Sequence, residues 1–354
     1  MHEFGKILIA WYQQNKRNLP WRANNDPYFV WVSEIILQQT RVDTGTDYFL
    51  RFMNSFPDVF SLANAQENDV LKLWQGLGYY SRARNMHAAA LQIKNEFNGV
   101  FPSTYIDIRK LKGVGDYTAA AIASISFGLP HAVIDGNVYR ALSRLFGVET
   151  AIDTLKGKRE FTELASLLID RKNPGQFNEA LMEFGALQCT PKNPNCRTCP
   201  FCDQCIALSK NEISNHPVKS KQTKIKKRYF NYLLVNDGNC FYIEKRVARD
   251  IWHNLYQFPL IETSVAVTLE ELVSNEHFVK MFDPKDIVID AMGPEIIHIL
   301  THQRLHVRFI EIKSLEVVPP INWIKVSLSE MTDFPVPKII HNFLLKMDPN
   351  KLKE

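Results

Sequence analysis

Apolar residues recur at three- and four-residue spacing through the first 208 positions, with few alternating runs. This period is typical of α-helices that bury one face. The clearest helix start is Asp26-Pro27, where an N-cap residue precedes a proline at the first helical position. The pattern predicts helices over 26–39, 58–73, 83–97, 104–111, 116–127, 136–146, 156–169 and 176–187. We therefore expect the N-terminal half to be mainly α-helical.

The pattern changes after residue 208. Residues 209–228 contain a cluster of lysines and almost no large apolar side chains, which is typical of a linker between domains. This linker could be a solvated tether, or it could contact phosphates. Residues 229–246 are expected to form two strands joined at Asn236-Asp237-Gly238, and 305–313 alternates like a further strand. With helical spacing at 268–275 and 337–347, the region 229–354 is predicted to be an α+β domain.

The length of 354 residues fits two domains, because a domain usually holds roughly 100–200 residues. The composition is ordinary for a globular protein, and the net charge of +4 permits a nucleic-acid partner without arguing for one. The chain does not start like a signal peptide, and no apolar run approaches the roughly 18–20 residues of a membrane span. We expect a cytoplasmic or DNA-associated protein with no membrane partner.

Five of the six cysteines are crowded into a short stretch, which predicts a metal site and not a disulfide framework. Four of them have the spacing C-x6-C-x2-C-x5-C, and these are Cys189, Cys196, Cys199 and Cys205. Cys202 adds a run of three successive C-x2-C pairs. From the spacing alone, an iron–sulfur cluster and a structural zinc ion are both open. The isolated Cys240 is expected to be a small buried hydrophobe.

Gly113 and Gly115 flank a valine between two helical stretches in LKGVGDYTAAAIASISFG, residues 111–128. Glycines permit a tight turn and bring backbone N–H groups to the surface. Together with the N-terminus of the next helix, such donors can hold a DNA phosphate without reading sequence. An ordinary turn between two helices is the alternative.

Two carboxylates are candidates for chemistry. Asp135 precedes a helix, so its first expected role is that of an N-cap. Glu34 lies in the strongly apolar segment YFVWVSEIIL, residues 28–37. Burial raises a carboxyl pKa, which makes Glu34 a candidate general acid near neutral pH. A glutamate on the one exposed stripe of that helix is the alternative.

Several segments together resemble the MutY family of adenine DNA glycosylases, in the endonuclease III-like superfamily. They are SEIILQQTRV (33–42), the hairpin segment 111–128, the cysteine spacing and WHNLYQFPLIE (252–262). The resemblance covers nearly the whole chain. It implies a helix-hairpin-helix glycosylase domain over 1–208, with one helical lobe at about 26–135 and another from 1–25 and 136–208. It also implies a [4Fe–4S] cluster on the four spaced cysteines, and a Nudix-like lesion-recognition domain over 229–354.

The resemblance implies catalytic roles as well. Glu34 would protonate the flipped adenine, Asp135 would stabilise the sugar cation, and Tyr117 and Asn137 would support them. Related bifunctional enzymes have a lysine at the position of Tyr117, and a tyrosine cannot form a Schiff base. A monofunctional enzyme that leaves an abasic site is therefore expected.

The remaining implied contacts are with the substrate and the DNA. Trp21 and Arg22 would lie near the adenine, with Glu179 hydrogen-bonded to it. Leu37 and Tyr79 would wedge into the base stack, Gln39 and Thr40 would contact the opposite 8-oxoguanine, and the hairpin glycines would hold phosphate. Thr301 and His302 would read the lesion, whereas Leu300 replaces the family's phenylalanine and its contribution is open. Taken singly, each aromatic is better explained as filling a core, and Arg22 as forming a surface ion pair.

The implied function is excision of adenine mispaired with 8-oxoguanine or guanine in duplex DNA, by a monomer. Three alternatives remain. The chain could act on thymine or oxidised pyrimidines, it could bind lesions or an iron–sulfur cluster without catalysis, or it could hydrolyse nucleotides through its C-terminal domain. The absence of the Nudix metal-binding box disfavours the last.

Overall fold

The structure is a computed structural model that describes residues 2–38, 40–220, 225–236, 240–282, 287–314 and 320–347. The chain divides into two compact units. The first joins Met1–Ala65 to Asn85–Gln222, and the second joins Gln66–Arg84 to Thr223–Glu354. The domain boundaries expected from the sequence, at residues 208 and 229, remain predictions. The structure adds that residues 66–84 group with the C-terminal part of the chain.

Helices dominate the described residues up to 220, which confirms the predicted fold class for this half. In chain order they are α1 (His2–Asn15), α2 (Pro27–Leu37), α3 (Val42–Ser55), α4 (Val59–Asn64), α5 (Glu67–Leu73), α6 (Ser81–Glu96), α7 (Tyr105–Lys110), α8 (Asp116–Phe127), α9 (Gly136–Phe146), α10 (Leu155–Leu168), α11 (Pro174–Leu187) and α12 (Ile206–Ser209). Short 3-10 turns lie at Pro20–Arg22, Cys196–Thr198, Cys202–Gln204 and Ile213–Asn215.

The predicted single helix over 58–73 is wrong, because Ala65 and Gln66 are both extended and separate α4 from α5. Helices α1 and α3 were not predicted. The first turn of α3 is Val42-Asp43-Thr44-Gly45, all residues of low helix propensity, so packing and not local preference determines this helix.

Helices α2, α8, α9 and α11 carry the candidate site. Asp26 caps α2 by accepting from the Tyr28 N–H at 2.8 Å. The alanine-rich α8 is buried along seven positions and packs against α2, while α11 packs against α1, α8 and α9. Gly185 on α11 permits a close approach to α9, since a Cβ there would meet the Asn137 carbonyl oxygen at 2.6 Å. This contact fixes the first turn of α9 beside α11.

The second unit is built on one sheet. Its strands are β1 (Lys226–Asn236), β2 (Cys240–Lys245), β3 (Tyr256–Gln257), β4 (Leu260–Thr263), β5 (Ile287–Met292), β6 (Ile296–Ile299), β7 (Gln303–Ser314) and β8 (Trp323–Ser327). The order is β3-β2-β1-β7-β5, with β4 on β1, β6 on β7 and β8 on β2. Strands β1 and β7 are parallel and the other described pairs are antiparallel. Its other helices are α13 (Leu269–Val273), α14 (Glu276–Met281) and α15 (Lys338–Met347).

Strand β1 explains why this sheet has two cores. Tyr232 and Leu234 lie in the cluster that includes α15, whereas Leu233 and Val235 lie in the cluster that includes α13 and α14. Successive side chains of a strand point to opposite faces, so both faces of the sheet are covered. The predicted α+β class is confirmed. Of the hairpin turn expected at 236–238, residues 237 and 238 lie outside the described residues.

Part of the expected linker is packed against the first unit. The Ile152 N–H donates to the Val218 carbonyl at 3.0 Å, and the Ser220 N–H donates to Asp153 at 2.9 Å. His216 is buried. A fully solvated tether is therefore wrong for 213–220. In the part of the chain that the structure describes, no helix is long and apolar enough to cross a membrane.

Candidate active site

Glu34 is the acidic group of a buried helix. Eight residues of α2 are buried, namely Tyr28 and all those from Val30 to Ile36, and Glu34 is one of them. The Tyr117 hydroxyl donates to Glu34 Oε2 at 2.5 Å. Burial raises the pKa of Glu34 to about 7, the charges of Asp135 and Glu179 add to this, and the Tyr117 hydrogen bond opposes it. Such a carboxyl can hold and release a proton near neutral pH.

Tyr117 stands at the start of α8 and faces the same carboxyl. Its hydroxyl also contacts the Met182 sulfur at 3.6 Å. Burial raises the pKa of Tyr117 well above its ordinary value, and the neighbouring Glu34 acts in the same direction. Tyr117 is therefore a neutral hydrogen-bond donor to Glu34.

Asp135 is the N-cap of α9. Its Oδ1 accepts from the Val138 N–H at 2.7 Å, and its Oδ2 accepts from Asn137 Nδ2 at 2.7 Å. Burial raises the pKa of Asp135, while these hydrogen bonds favour the ionised form. The Asn137 side-chain oxygen in turn accepts from Arg140 at 2.8 Å, and Arg140 also donates to the Cys189 carbonyl at 2.8 Å. The orientation of Asp135 is thus fixed by a buried polar network.

One cavity of about 580 Å³ brings most of the predicted site residues together. The predicted residues that line it are Glu34, Asp135, Tyr117, Asn137, Trp21, Arg22, Leu37, Thr40 and Glu179. Gln39 lies outside the described residues. Among the described residues that line this cavity there is no lysine.

A network of arginines and glutamates lies at one side of the cavity. Arg22 pairs with Glu179 at 3.3 Å and with Glu183 at 3.0 Å. Arg17 makes two side-chain hydrogen bonds of 2.8 Å to Glu183. Burial opposes the ionisation of Glu183, but the bonds from Arg17 and Arg22 outweigh it and lower its pKa to about 2. Glu179 has no such bidentate partner, and burial raises its pKa.

Sequence reasoning missed Arg17, Glu183 and Met182, all of which line the cavity. One available signal was spacing, because Glu183 follows Glu179 by four positions and therefore lies on the same face of α11. The partner of Glu183 could not be identified in this way, since Arg17 is 166 positions away in the chain.

The hairpin glycines lie beside this cavity. Gly113 has a φ of +78°, and a Cβ there would meet Asn85 at 2.6 Å, so this position needs glycine. Gly115 is the N-cap residue of α8 and has open space where a Cβ would lie. Both line a groove of about 490 Å³ that also touches Gln38 and Tyr117. The first turn of α8, which also carries the exposed Asp116, therefore borders this groove.

The predicted lesion-reading residues belong to the second unit. The Tyr79 and Thr301 hydroxyls are hydrogen-bonded to each other, and both side chains are exposed, as is His302. The turn is closed by bonds between Leu300 and Gln303, from the N–H of each to the carbonyl of the other. Leu300 packs against the core of the sheet face that carries α15. Leu300 therefore anchors this turn to the core of the sheet.

The five clustered cysteines are free thiols that line one small cavity of about 20 Å³. No described group of three or more side chains is already arranged to hold a metal ion. The donor set nevertheless fits one, because five sulfur ligands converge on one space. The buried Arg144 guanidinium donates to the Cys189 sulfur at 3.5 Å, which places a positive charge beside this ligand candidate.

Comparison with known proteins agrees with this geometry. Residues 32–166 match the HhH-GPD superfamily of base excision DNA repair proteins, and residues 231–346 match the NUDIX domain. An adenine DNA glycosylase of Buchnera aphidicola subsp. Schizaphis graminum is 38% identical over 277 residues, which are 78% of this chain and 80% of that protein. Another, from Arabidopsis thaliana, is 34% identical over 84% of this chain and 55% of its own length.

A solved structure of a thermostable thymine-DNA glycosylase is similar with a TM-score of 0.55 and 27% identity, over 58% of this chain and 95% of that one. The resemblance inferred from the motifs is therefore confirmed across both units. This chain belongs to the MutY family of adenine DNA glycosylases, enzymes of the helix-hairpin-helix superfamily that hydrolyse N-glycosidic bonds.

Proposed function

We propose that this protein hydrolyses the N-glycosidic bond of adenine mispaired with 8-oxoguanine or guanine in duplex DNA and leaves an abasic site. The observation that carries the proposal is a pair of unlike carboxyls on one cavity. Glu34 is buried and has a pKa of about 7. Burial also raises the pKa of Asp135, but hydrogen bonds from Val138 and Asn137 oppose that rise and favour its charged form. A proton donor and a stabilising anion are the two groups that glycosyl hydrolysis needs.

Glu34 supplies the proton. A flipped adenine in the cavity presents N7, and protonation there makes the base a better leaving group. The hydrogen bond from Tyr117 holds the carboxyl in one orientation and leaves its other oxygen free for the base. Because the pKa of Glu34 is about 7, Glu34 is protonated in a large fraction of the protein molecules at neutral pH.

Asp135 stabilises the sugar cation that forms as the bond to adenine breaks. A carboxylate held by Val138 and Asn137 needs no reorganisation when positive charge develops at C1′. Water then attacks the cation, or a transient adduct with Asp135, to complete hydrolysis.

The base is extracted from the duplex and held by the wall of the cavity. Trp21, Arg22 and Glu179 contact the adenine, and Leu37 and Tyr79 fill the gap left in the stack. Gly113 and Gly115 hold a phosphate of the same DNA at the N-terminus of α8. Thr40, Gln39, Thr301 and His302 contact the opposite purine.

The reaction stops at the abasic site. A strand-cleaving glycosylase needs an amine that attacks C1′, and the corresponding position here is Tyr117. The described residues around the cavity include Arg17 and Arg22, whose guanidinium groups do not lose a proton at physiological pH.

We further propose a [4Fe–4S] cluster on Cys189, Cys196, Cys199 and Cys205. When bound, the cluster cross-links the loop that follows α11. Arg140 and Arg144 hold the backbone of the same loop, which ties its position to α9 and hence to Asp135. We assign residues 1–208 to the glycosylase domain, 209–228 to the connection and 229–354 to lesion recognition, in a monomer that acts on DNA.

A glycosylase assay tests the proposal. The substrates are duplexes with adenine opposite 8-oxoguanine, guanine or thymine and one with thymine opposite guanine, each analysed with and without alkali. Excision of adenine opposite the first two, with strand breaks only after alkali, is the expected result. Thymine excision would favour the activity named for the similar solved structure. Tight lesion binding without excision would indicate a binding protein, and breaks without alkali would indicate a lyase.

A further inference from the structure

The cysteine loop repeats one backbone turn three times. The Cys199 N–H donates to the Cys196 carbonyl at 3.3 Å, the Cys202 N–H to the Cys199 carbonyl at 3.1 Å, and the Cys205 N–H to the Cys202 carbonyl at 3.4 Å. Each C-x2-C pair is therefore closed by the same bond across three residues. Two of these are 3-10 turns, Cys196–Thr198 and Cys202–Gln204, and Cys199 and Cys205 follow them with extended backbone.

This repetition places a fifth thiol with the other four. Cys202 lines the same small cavity as Cys189, Cys196, Cys199 and Cys205. It is half-buried, and its sulfur has the Asp203 carboxylate at 3.5 Å as a neighbour. Cys205 is more deeply buried, and its thiol faces the Arg144 carbonyl at 3.5 Å. Cys205 is thus more deeply buried than Cys202, but both residues line the cavity.

Two complete sets of four ligands follow from these five residues. The first uses Cys205 and has a C-x2-C-x5-C spacing after Cys189. The second uses Cys202 in its place and has C-x2-C-x2-C, a spacing by which ferredoxin loops also hold a single cluster. Cys189, Cys196 and Cys199 belong to both sets. Only the fourth ligand differs.

We propose that Cys202 is a reserve ligand that can replace Cys205 on the cluster. The inference rests on the iron–sulfur cofactor of the proposed function. In the exchange, the iron–sulfur bond to Cys205 breaks and one to Cys202 forms. The Cys202 thiol releases a proton and the Cys205 thiolate gains one, so no electron is transferred. Cys205 is the resting ligand because its deeper position keeps water from the cluster.

The test uses the full-length chain, purified without oxygen, in five variants. They are Cys202→Ser, Cys205→Ser, the double variant Cys202→Ser/Cys205→Ser, Cys196→Ser and, as a control outside the loop, Cys240→Ser. Iron and acid-labile sulfide per chain and the visible absorbance of the cluster are measured for each. Alkylation of the native protein, followed by mass spectrometry, reports which thiols are protected.

Cys202→Ser, Cys205→Ser and Cys240→Ser are expected to retain iron and sulfide close to the unmodified level, whereas Cys196→Ser and the double variant lose them. Cys202 should be alkylated in the unmodified protein and protected in Cys205→Ser. The Cys205→Ser cluster should also bleach faster in air. A Cys205→Ser chain that lacks iron, or that is recovered only in insoluble form, overturns the inference. Zinc, or no metal, in the unmodified protein would instead overturn the proposed cofactor.

Discussion

The Tyr117 hydroxyl lies 2.5 Å from Glu34 Oε2 and donates its hydrogen bond to that oxygen. The tyrosine is the first-turn residue of α8, and the glutamate is in the middle of α2, so the bond joins two helices that pack together. The hydrogen bond favours the ionised carboxyl and burial favours the protonated one. Their balance places the pKa of Glu34 near 7.

Glu34→Gln should remove adenine excision while leaving mismatch binding intact, because an amide of the same shape cannot donate the proton. The expected fall in single-turnover rate is about 100-fold or more, the usual contribution of a general acid. Glu149→Gln, a change at an exposed glutamate, is the matched control and should retain the full rate. Turnover that survives in Glu34→Gln would contradict the role of Glu34, whatever its affinity for DNA.

Glu34 should also make stability depend on pH. Its folded pKa of about 7 lies above its ordinary value, so the folded protein binds this proton more tightly than the unfolded chain does. The free energy of unfolding should therefore fall between about pH 4.5 and pH 7, and the cost at higher pH is on the order of 3 kcal/mol. Glu34→Gln should raise the thermal midpoint at pH 8 more than at pH 5. An equal change at both pH values would contradict the raised pKa.

Much of the fold could be predicted from the sequence, because α2, α8 and α9 have local signals. Asp26, Gly115 and Asp135 immediately precede α2, α8 and α9, and each is the N-cap residue of its helix in the structure. The break at Ala65-Gln66 has no such signal, since neither residue favours a helix end strongly. The helix that follows this break lies in the segment that groups with the second unit.

The geometry of the candidate site was predictable in part. Glu34 stood out because its segment is strongly apolar, and its side chain is buried. Arg17 and Glu183 did not, since an arginine near the N-terminus and a glutamate on a late helix meet only through the packing of α1 and α11. Ion pairs between distant positions leave no periodic trace in a sequence.

Tyr117→Phe should shift the pH dependence of excision and not abolish it. The lost hydrogen bond is one of the influences that lower the pKa of Glu34, so this pKa should rise. The decline in rate above neutral pH should then move to higher pH, by about one unit if the bond is worth roughly 1.5 kcal/mol. Single-turnover rates from pH 6 to pH 9 report the shift. A profile with an unchanged midpoint would show that the bond does not tune Glu34.

Tyr117→Lys should introduce strand cleavage. The new amine would lie in the cavity beside Asp135 and could attack C1′ of the flipped nucleotide to form a Schiff base. Borohydride should then trap a covalent protein–DNA complex, and breaks should appear without alkali. Tyr117→Phe is the matched control and should yield neither. If Tyr117→Lys excises adenine without any trapped complex, the identity of this residue does not decide between the two reaction types.

Asn137→Ala should slow excision without changing the base that is removed. Asn137 donates to Asp135 Oδ2 at 2.7 Å and favours its ionised form, so the pKa of Asp135 should rise in the variant. A hydrogen bond to a charged group contributes about 1.5–3 kcal/mol, which corresponds to a loss of roughly 10- to 100-fold in rate. Asn64→Ala, at a residue bonded to Lys94 on the surface, is the control. Because a higher pKa leaves more of Asp135 protonated at low pH, the loss should grow as the pH falls. A loss that does not depend on pH would contradict an effect on the ionisation of Asp135.

Tyr79 and Thr301 should act together in reading the base opposite adenine, since their hydroxyls are hydrogen-bonded. Tyr79→Phe and Thr301→Ala should each lower the preference for 8-oxoguanine over guanine, and the double variant should lose less than the two single losses added. Residues in contact commonly show a coupling of about 0.5–3 kcal/mol. Equilibrium binding to both mismatches, measured in the Glu34→Gln background so that the adenine stays in place, completes the double-mutant cycle. Additive losses would mean that each hydroxyl contacts DNA independently and that the bond between them exists only in the free protein.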